Sequence, residues 1–151
     1  MFHLTKTSLA AGFIAAIALG SAAPAVAGQC PAGQESANPL TDRATAPKDV
    51  TDDVLGSIDL GQEIGVAGRD LRLRRLVVQP GGVVPFHSHE GRPALIITIS
   101  GEITEHRTTC GVPIVHRAGE LSREAGGLGH YWVNHGTVPA VLLSADVKAA
   151  E

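Results

Sequence analysis

The punctuation of this chain limits its fold more than any other feature. Beyond Val54 each apolar run is short and is closed by glycine or proline. Leu71–Val78 partly alternates and stops at Pro80-Gly81-Gly82. Ala94–Ser100 is a β-branched run ending at Gly101, and Glu102–Arg107 alternates weakly. Val112–Arg117 is brief and precedes the Ala118-Gly119 turn, while His130–Asn134 and Ala140–Val147 are separated by His135–Pro139. Runs of this length and period, bounded by turn residues, predict β-strands. No window carries a helical period, which predicts an all-β sandwich or barrel with no internal helix. The 18 glycines and an aromatic content of only 3% agree with many turns around an aliphatic core. A chain of 151 residues supports one such domain. With 12 Lys+Arg against 15 Asp+Glu and no basic block, nucleic acid is not an expected partner.

The first 27 residues read differently. Lys6 precedes the apolar run Ser8–Gly20, and Ala25-Val26-Ala27 supplies a small-residue cleavage site. This is the pattern of a secretory signal peptide, too short and Ala/Gly-rich for a membrane span. The expected organisation is therefore signal peptide 1–27, an N-terminal arm 28–53 broken by Pro31, Pro39 and Pro47, a barrel 54–147, and a tail 148–151. An exported (periplasmic or secreted) protein without membrane attachment is expected after cleavage. Export also colours Cys30 and Cys110, which form no CxxC pair. They are either one disulfide or two free thiols, and an oxidising compartment favours the disulfide.

His87-Ser88-His89 falls in a predicted strand, where residues two apart share a face. Two neutral imidazoles at that spacing suit a transition metal once a third ligand arrives. The surrounding residues extend the pattern. Gly81, five residues, His87-Ser88-His89, four residues, Ala94, six residues and Gly101 form one spaced set. Gly119, five residues, Ala125, one residue, Gly127, two residues, His130, three residues and Asn134 form a second. In this the chain resembles the cupin superfamily, whose two motifs have these spacings. Ala94 stands where those motifs usually carry Glu, and Ala125 where they carry Pro.

The resemblance implies a six-to-eight-stranded jelly-roll barrel holding a divalent transition metal (Zn, Mn, Fe, Ni or Cu) on His87, His89 and His130. With Ala94 at the Glu position, the expected first shell has no carboxylate. Its vacancy would be filled by water, by an exogenous ligand, or by Glu90 swinging in from its loop. Alternation puts Trp132 and Asn134 on the face of His130. Trp132 is read as cavity wall or core, Asn134 as pocket lining or a strand-end anchor, and Arg92 as a contact for an anionic ligand or a solvated residue. His106, His116 and His135 are read as surface or rim residues, and no second acid or base is evident inside.

Two functions remain open on these residues. One is a small-molecule metalloenzyme, such as a dioxygenase acting on an enol, catechol or keto-acid. The other is a non-catalytic module that stores or senses a metal or small ligand. Because Ala94–Ser100 is apolar on both faces, a homodimer through sheet packing is also expected.

Overall fold

The computed structural model describes residues 28–150; the segment 1–27, read above as a signal peptide, lies outside them. Eight strands and one short helix follow one another as β1 (Lys48–Asp59), α1 (Leu60–Ile64), β2 (Arg69–Ser88), β3 (Ala94–Ser100), β4 (Glu102–Arg107), β5 (Ile114–Arg117), β6 (Leu121–Glu124), β7 (Gly129–Val133) and β8 (Ala140–Ala149). They form one sheet in the order β5-β4-β7-β2-β8-β3-β6, with β1 added beside β2. The sheet curls until its ends nearly meet. There Thr98 N–H donates to Glu120 O and Gly119 N–H to Thr98 O, tying β3 to the β5–β6 turn. Every strand pair is antiparallel, and the fold is a jelly-roll barrel.

Strand β2 joins the two halves. Its first part runs against β8, from Arg69 opposite Ala149 to Val78 opposite Ala140. Its second part runs against β7, from Val83 opposite Val133 to Ser88 opposite Gly129. Pro80-Gly81-Gly82 therefore does not reverse the chain, as its composition predicts, but bends a continuing strand from one partner to the other. Gly81 has φ of +72°. A Cβ at Gly82 would lie 2.7 Å from Gln79 O and 2.8 Å from Asp49 O. The positive φ and close approach that suit glycine to turns serve a bend equally well.

Three boundaries differ from expectation. β1 begins at Lys48, inside the segment read as arm, and β8 runs on to Ala149, into the segment read as tail. β1 is an edge strand exposed at almost every position, so it carries no buried alternation to betray it. β6 was equally silent in the sequence because its alternation is inverted: Ser122 and Glu124 face the interior while Leu121 faces outward. The helix α1, not expected, is a single turn capped by the Asp59 side chain, which accepts from Gly61 N–H and Gln62 N–H.

The interior is divided. One end is apolar, built from Leu76, Val78, Ile96, Ile103, Trp132, Ala140 and Leu142. The other is lined by buried polar residues, among them His89, Glu105, Arg107, His116, Ser122, Glu124 and His130. The arm packs along the outside of the barrel, where Phe86 N–H donates to Ala44 O and Gly111 N–H to Gln34 O. Cys30 and Cys110 form a disulfide across 80 residues of sequence, with Cys110 buried. In the chain-entropy picture a loop of that size is worth up to about 4.5 kcal/mol. Reduction, or Cys30→Ala with Cys110→Ala, should lower stability by about 2–4 kcal/mol, read as a shift in the denaturant midpoint.

Candidate metal centre

The three histidines converge at the mouth of the polar end. His87 is on β2, His89 sits one residue beyond that strand, and His130 on β7 is paired directly with His87. Their Nε2 atoms form a nearly equilateral triangle, with separations of 3.1 Å (His87–His89), 3.0 Å (His89–His130) and 3.1 Å (His130–His87).

The other ring nitrogens explain this orientation. His87 Nδ1 lies 2.9 Å from Pro85 O, and His89 Nδ1 lies 2.9 Å from Arg92 O. A carbonyl only accepts, so both rings hold their proton on Nδ1 and direct a lone pair from Nε2 toward the centre of the triangle. His130 Nδ1–H donates to Glu105 Oε1 at 2.5 Å. Three converging lone pairs repel one another unless a cation sits among them. A triangle of this edge would let all three nitrogens reach one ion at ordinary metal–imidazole distances of about 2.0–2.1 Å. The residues present fit a transition metal.

Behind His130 lies a network that sequence reasoning missed. Glu105 on β4 is fully buried; it accepts from His116 at 2.8 Å and pairs with Arg107 at 2.6 Å. Arg107 also donates to Ser122 Oγ at 2.5 Å, and Ser122 Oγ donates to Glu124 Oε1. Glu124 Oε2 is 2.8 Å from His130 Nδ1 and 3.7 Å from His89 Nε2. The interior thus does hold further acids and bases, contrary to expectation. His116, read as a rim residue, is wholly buried because Glu105 binds it. One signal was available. On β4 the apolar Ile103 must face inward, so parity carries Glu105 and Arg107 inward too. Nothing comparable marked Glu124.

These contacts set the charges. Burial opposes ionisation of Glu105, yet hydrogen bonds from His116 and His130 and the nearby Arg107 hold it well below the carboxylate range. Burial likewise disfavours a charged His130, but Glu105 and Glu124 outweigh it and raise the pKa. His87 is pushed down from 6.5 to about 4, first by burial and then by His130. His89 is lowered for the same two reasons.

The remaining predicted residues are scattered. Trp132 forms a wall of a cavity of about 220 Å³, together with His87, Arg92, Arg74, Asp52 and the apolar Leu76, Ile96 and Leu142. Arg92 and Arg74 approach the buried Asp146 at 3.7 and 3.6 Å, and Arg72 binds the same carboxylate through two hydrogen bonds. Arg74 also pairs with Asp52. Of the charged side chains that line the cavity, Arg74 and Arg92 are cationic and Asp52 is anionic. Glu90 is exposed in its loop. Asn134 lies away from the cavity, donating to Val78 O and Val138 O and accepting from Gly136 N–H, which fixes the β7–β8 connection. Ala94 is buried directly opposite Glu124 on the neighbouring strand.

Comparison with known proteins agrees with the fold and the motifs. Residues 74–146 match the cupin domain family, which supports membership of the cupin superfamily. An auxin-binding protein of Prunus persica is 35% identical over 82 residues, which cover 52% of this chain and 39% of that protein. Among solved structures, a predicted oxalate decarboxylase of Thermotoga maritima superposes with a TM-score of 0.54 at 22% identity, covering 70% of this chain and 89% of that one. An oxalate oxidase bound to the substrate analogue glycolate gives 0.52 at 22% identity, covering 76% and 58%. Both solved structures share the fold. The chain spans 39–42% of the length of the first curated relatives that it matches.

Two outcomes are expected of the metal-free protein. Glu105→Gln removes the carboxylate nearest Arg107, leaving Glu124 at 3.8 Å, and should cost about 3 kcal/mol in chemical denaturation. The depressed pKa of His87 makes the unfolded chain bind a proton that the folded chain refuses between pH 6.5 and about 4. Stability should therefore decline as pH falls through that window, and His87→Ala should flatten the decline in pH-resolved melting curves.

Proposed function

We propose that this chain is an exported metal-dependent enzyme of the cupin class. It would act on a small carboxylate-bearing oxygen ligand, such as a keto-acid or an enol acid, in a dioxygenase-type reaction. The observation that carries this reading is the cationic cavity beside the histidine triangle. Three imidazoles leave coordination positions open, and a storage site has no need of an arginine-lined chamber next to them. When bound, the metal would polarise a ligand oxygen as a Lewis acid.

The chain's own residues supply the rest. Arg92, helped by Arg74, would hold the ligand carboxylate by charge-assisted hydrogen bonds. Trp132, Leu76, Ile96 and Leu142 would exclude water from the reacting centre. Glu105 would fix the orientation of His130 through its Nδ1–H. A volume of about 220 Å³ restricts the ligand to a small molecule. The auxin and oxalate named for a relative and for two fold neighbours are carboxylates, which is compatible with this ligand class. Export is supported by the disulfide.

The test begins with elemental analysis of protein taken from its exported compartment, followed by oxygen uptake with a panel of small keto-, hydroxy- and enol acids. One metal per chain and turnover of a member of the panel are expected. Arg92→Gln should raise KM about tenfold or more and change kcat less, as loss of one charge-assisted contact requires. Tight metal binding with no turnover of any acid would favour the storage or sensing module instead.

A homodimer belongs to the same proposal. Ile58, Leu71, Leu73 and Leu95 are exposed, and the strand pairing carries them across the outer face of β1, β2, β8 and β3. A second copy would cover this face. Light scattering should give twice the chain mass, and Leu73→Glu should return a monomer.

A further inference from the structure

Three carboxylates lie inside the barrel around the histidine triangle, and they differ in one respect. Asp146 is held by Arg72 through two hydrogen bonds, with Arg74 and Arg92 close by. Glu105 is occupied by His130, His116 and Arg107. Glu124 receives the Ser122 hydroxyl on Oε1, but its buried Oε2 has no hydrogen-bond donor. Although Oε2 is 2.8 Å from His130 Nδ1, the single proton on that nitrogen goes to Glu105. A buried carboxylate oxygen without a donor is costly, and it needs a cation or a proton. Its other near neighbour is the inward-facing nitrogen of His89, at 3.7 Å.

The ladder shows how this oxygen comes to be there. Ala94 on β3 is flanked by Glu124 on β6 and Asp146 on β8, in one inward-facing row. Between these two carboxylates Ala94 presents only a methyl group. Of the two flanking carboxylates, Asp146 takes two hydrogen bonds from Arg72, whereas Glu124 has the Arg107 guanidinium 3.8 Å from Oε1 and no donor on Oε2.

We propose that Glu124 supplies the carboxylate for the metal, entering from β6 into the space that Ala94 leaves on β3. The site would then be three imidazoles and one carboxylate, drawn from β2, its following loop, β7 and β6. A formal negative charge next to the ion favours harder metals such as Mn(II) over Zn(II) or Cu(II), relative to three imidazoles alone. Glu90, exposed in its loop, has no part in this. The inference rests on the metal-site reading above.

The experiment measures Mn(II) and Zn(II) dissociation constants by competition with a fluorescent chelator, on the full chain with its disulfide intact. Wild type is compared with Glu124→Gln, Glu124→Ala, and Glu124→Ala combined with Ala94→Glu. Glu124→Gln, of equal size, should weaken Mn(II) by about tenfold or more and Zn(II) distinctly less. Adding Ala94→Glu to Glu124→Ala should recover most of the Mn(II) affinity, because it returns a carboxylate to the same space from the neighbouring strand. A purely structural role for Glu124 would weaken both metals alike and would not be rescued at position 94. Unchanged Mn(II) binding in Glu124→Gln, or an equal loss for the two metals, overturns the proposal. If the double variant fails to fold, the Mn(II)-to-Zn(II) ratio in Glu124→Gln decides alone. A wild-type protein that binds neither metal would overturn the metal site itself, whereas wild-type binding with an indifferent Glu124→Gln overturns only the role given to Glu124.

Discussion

Burial of the Glu105 carboxylate organises the interior of this barrel. Taking such a charge out of water costs several kcal/mol, and it is tolerated only when its lone pairs are met by donors of fixed geometry. Here His130, His116 and Arg107 meet them. The consequence reaches the metal centre directly. Because His130 spends its Nδ1 proton on Glu105, its Nε2 must turn toward His87 and His89. The same rule, with backbone carbonyls in place of the carboxylate, orients the other two rings. Three separate hydrogen bonds thus produce one convergent set of lone pairs.

The division of the interior follows from the same economy. Apolar side chains fill the end around Leu142 and Trp132. Charged side chains gather at the other end, where each can be satisfied by several others. Trp132 stands at the boundary; its ring lies 4.7 Å from that of His116 and 5.6 Å from that of His130. It closes the polar network on one side and walls the cavity on the other. Arg74 and Arg92 also line the cavity, and both approach Asp146.

The sequence was informative wherever the inward face followed an ordinary rule. Alternating or β-branched runs marked β2, β3, β7 and β8, and the two spaced motifs named the histidines. It was misleading where the rule was reversed. β6 buries Ser122 and Glu124 and exposes Leu121, so its four residues look like a solvated turn. β1 buries almost nothing and looks like a linker. The Pro80-Gly81-Gly82 bend looks like a reversal because one glycine geometry serves both purposes.

By itself, then, the sequence pointed to the barrel class and to His87 and His89 as a pair on one face, because spacing along a strand translates into a face without reference to any other strand, while His130 entered through the resemblance of the two spaced motifs. It also isolated Cys30 and Cys110 as the sole thiols. What only the tertiary structure decided is which side chains meet across strands. That Glu124 lies opposite Ala94, that Arg72, Arg74 and Arg92 surround one aspartate, and that Glu105 binds His130 all depend on register between segments distant in the chain. Register is set by the closure of the whole barrel, a property of all eight strands together, and no local pattern carries it.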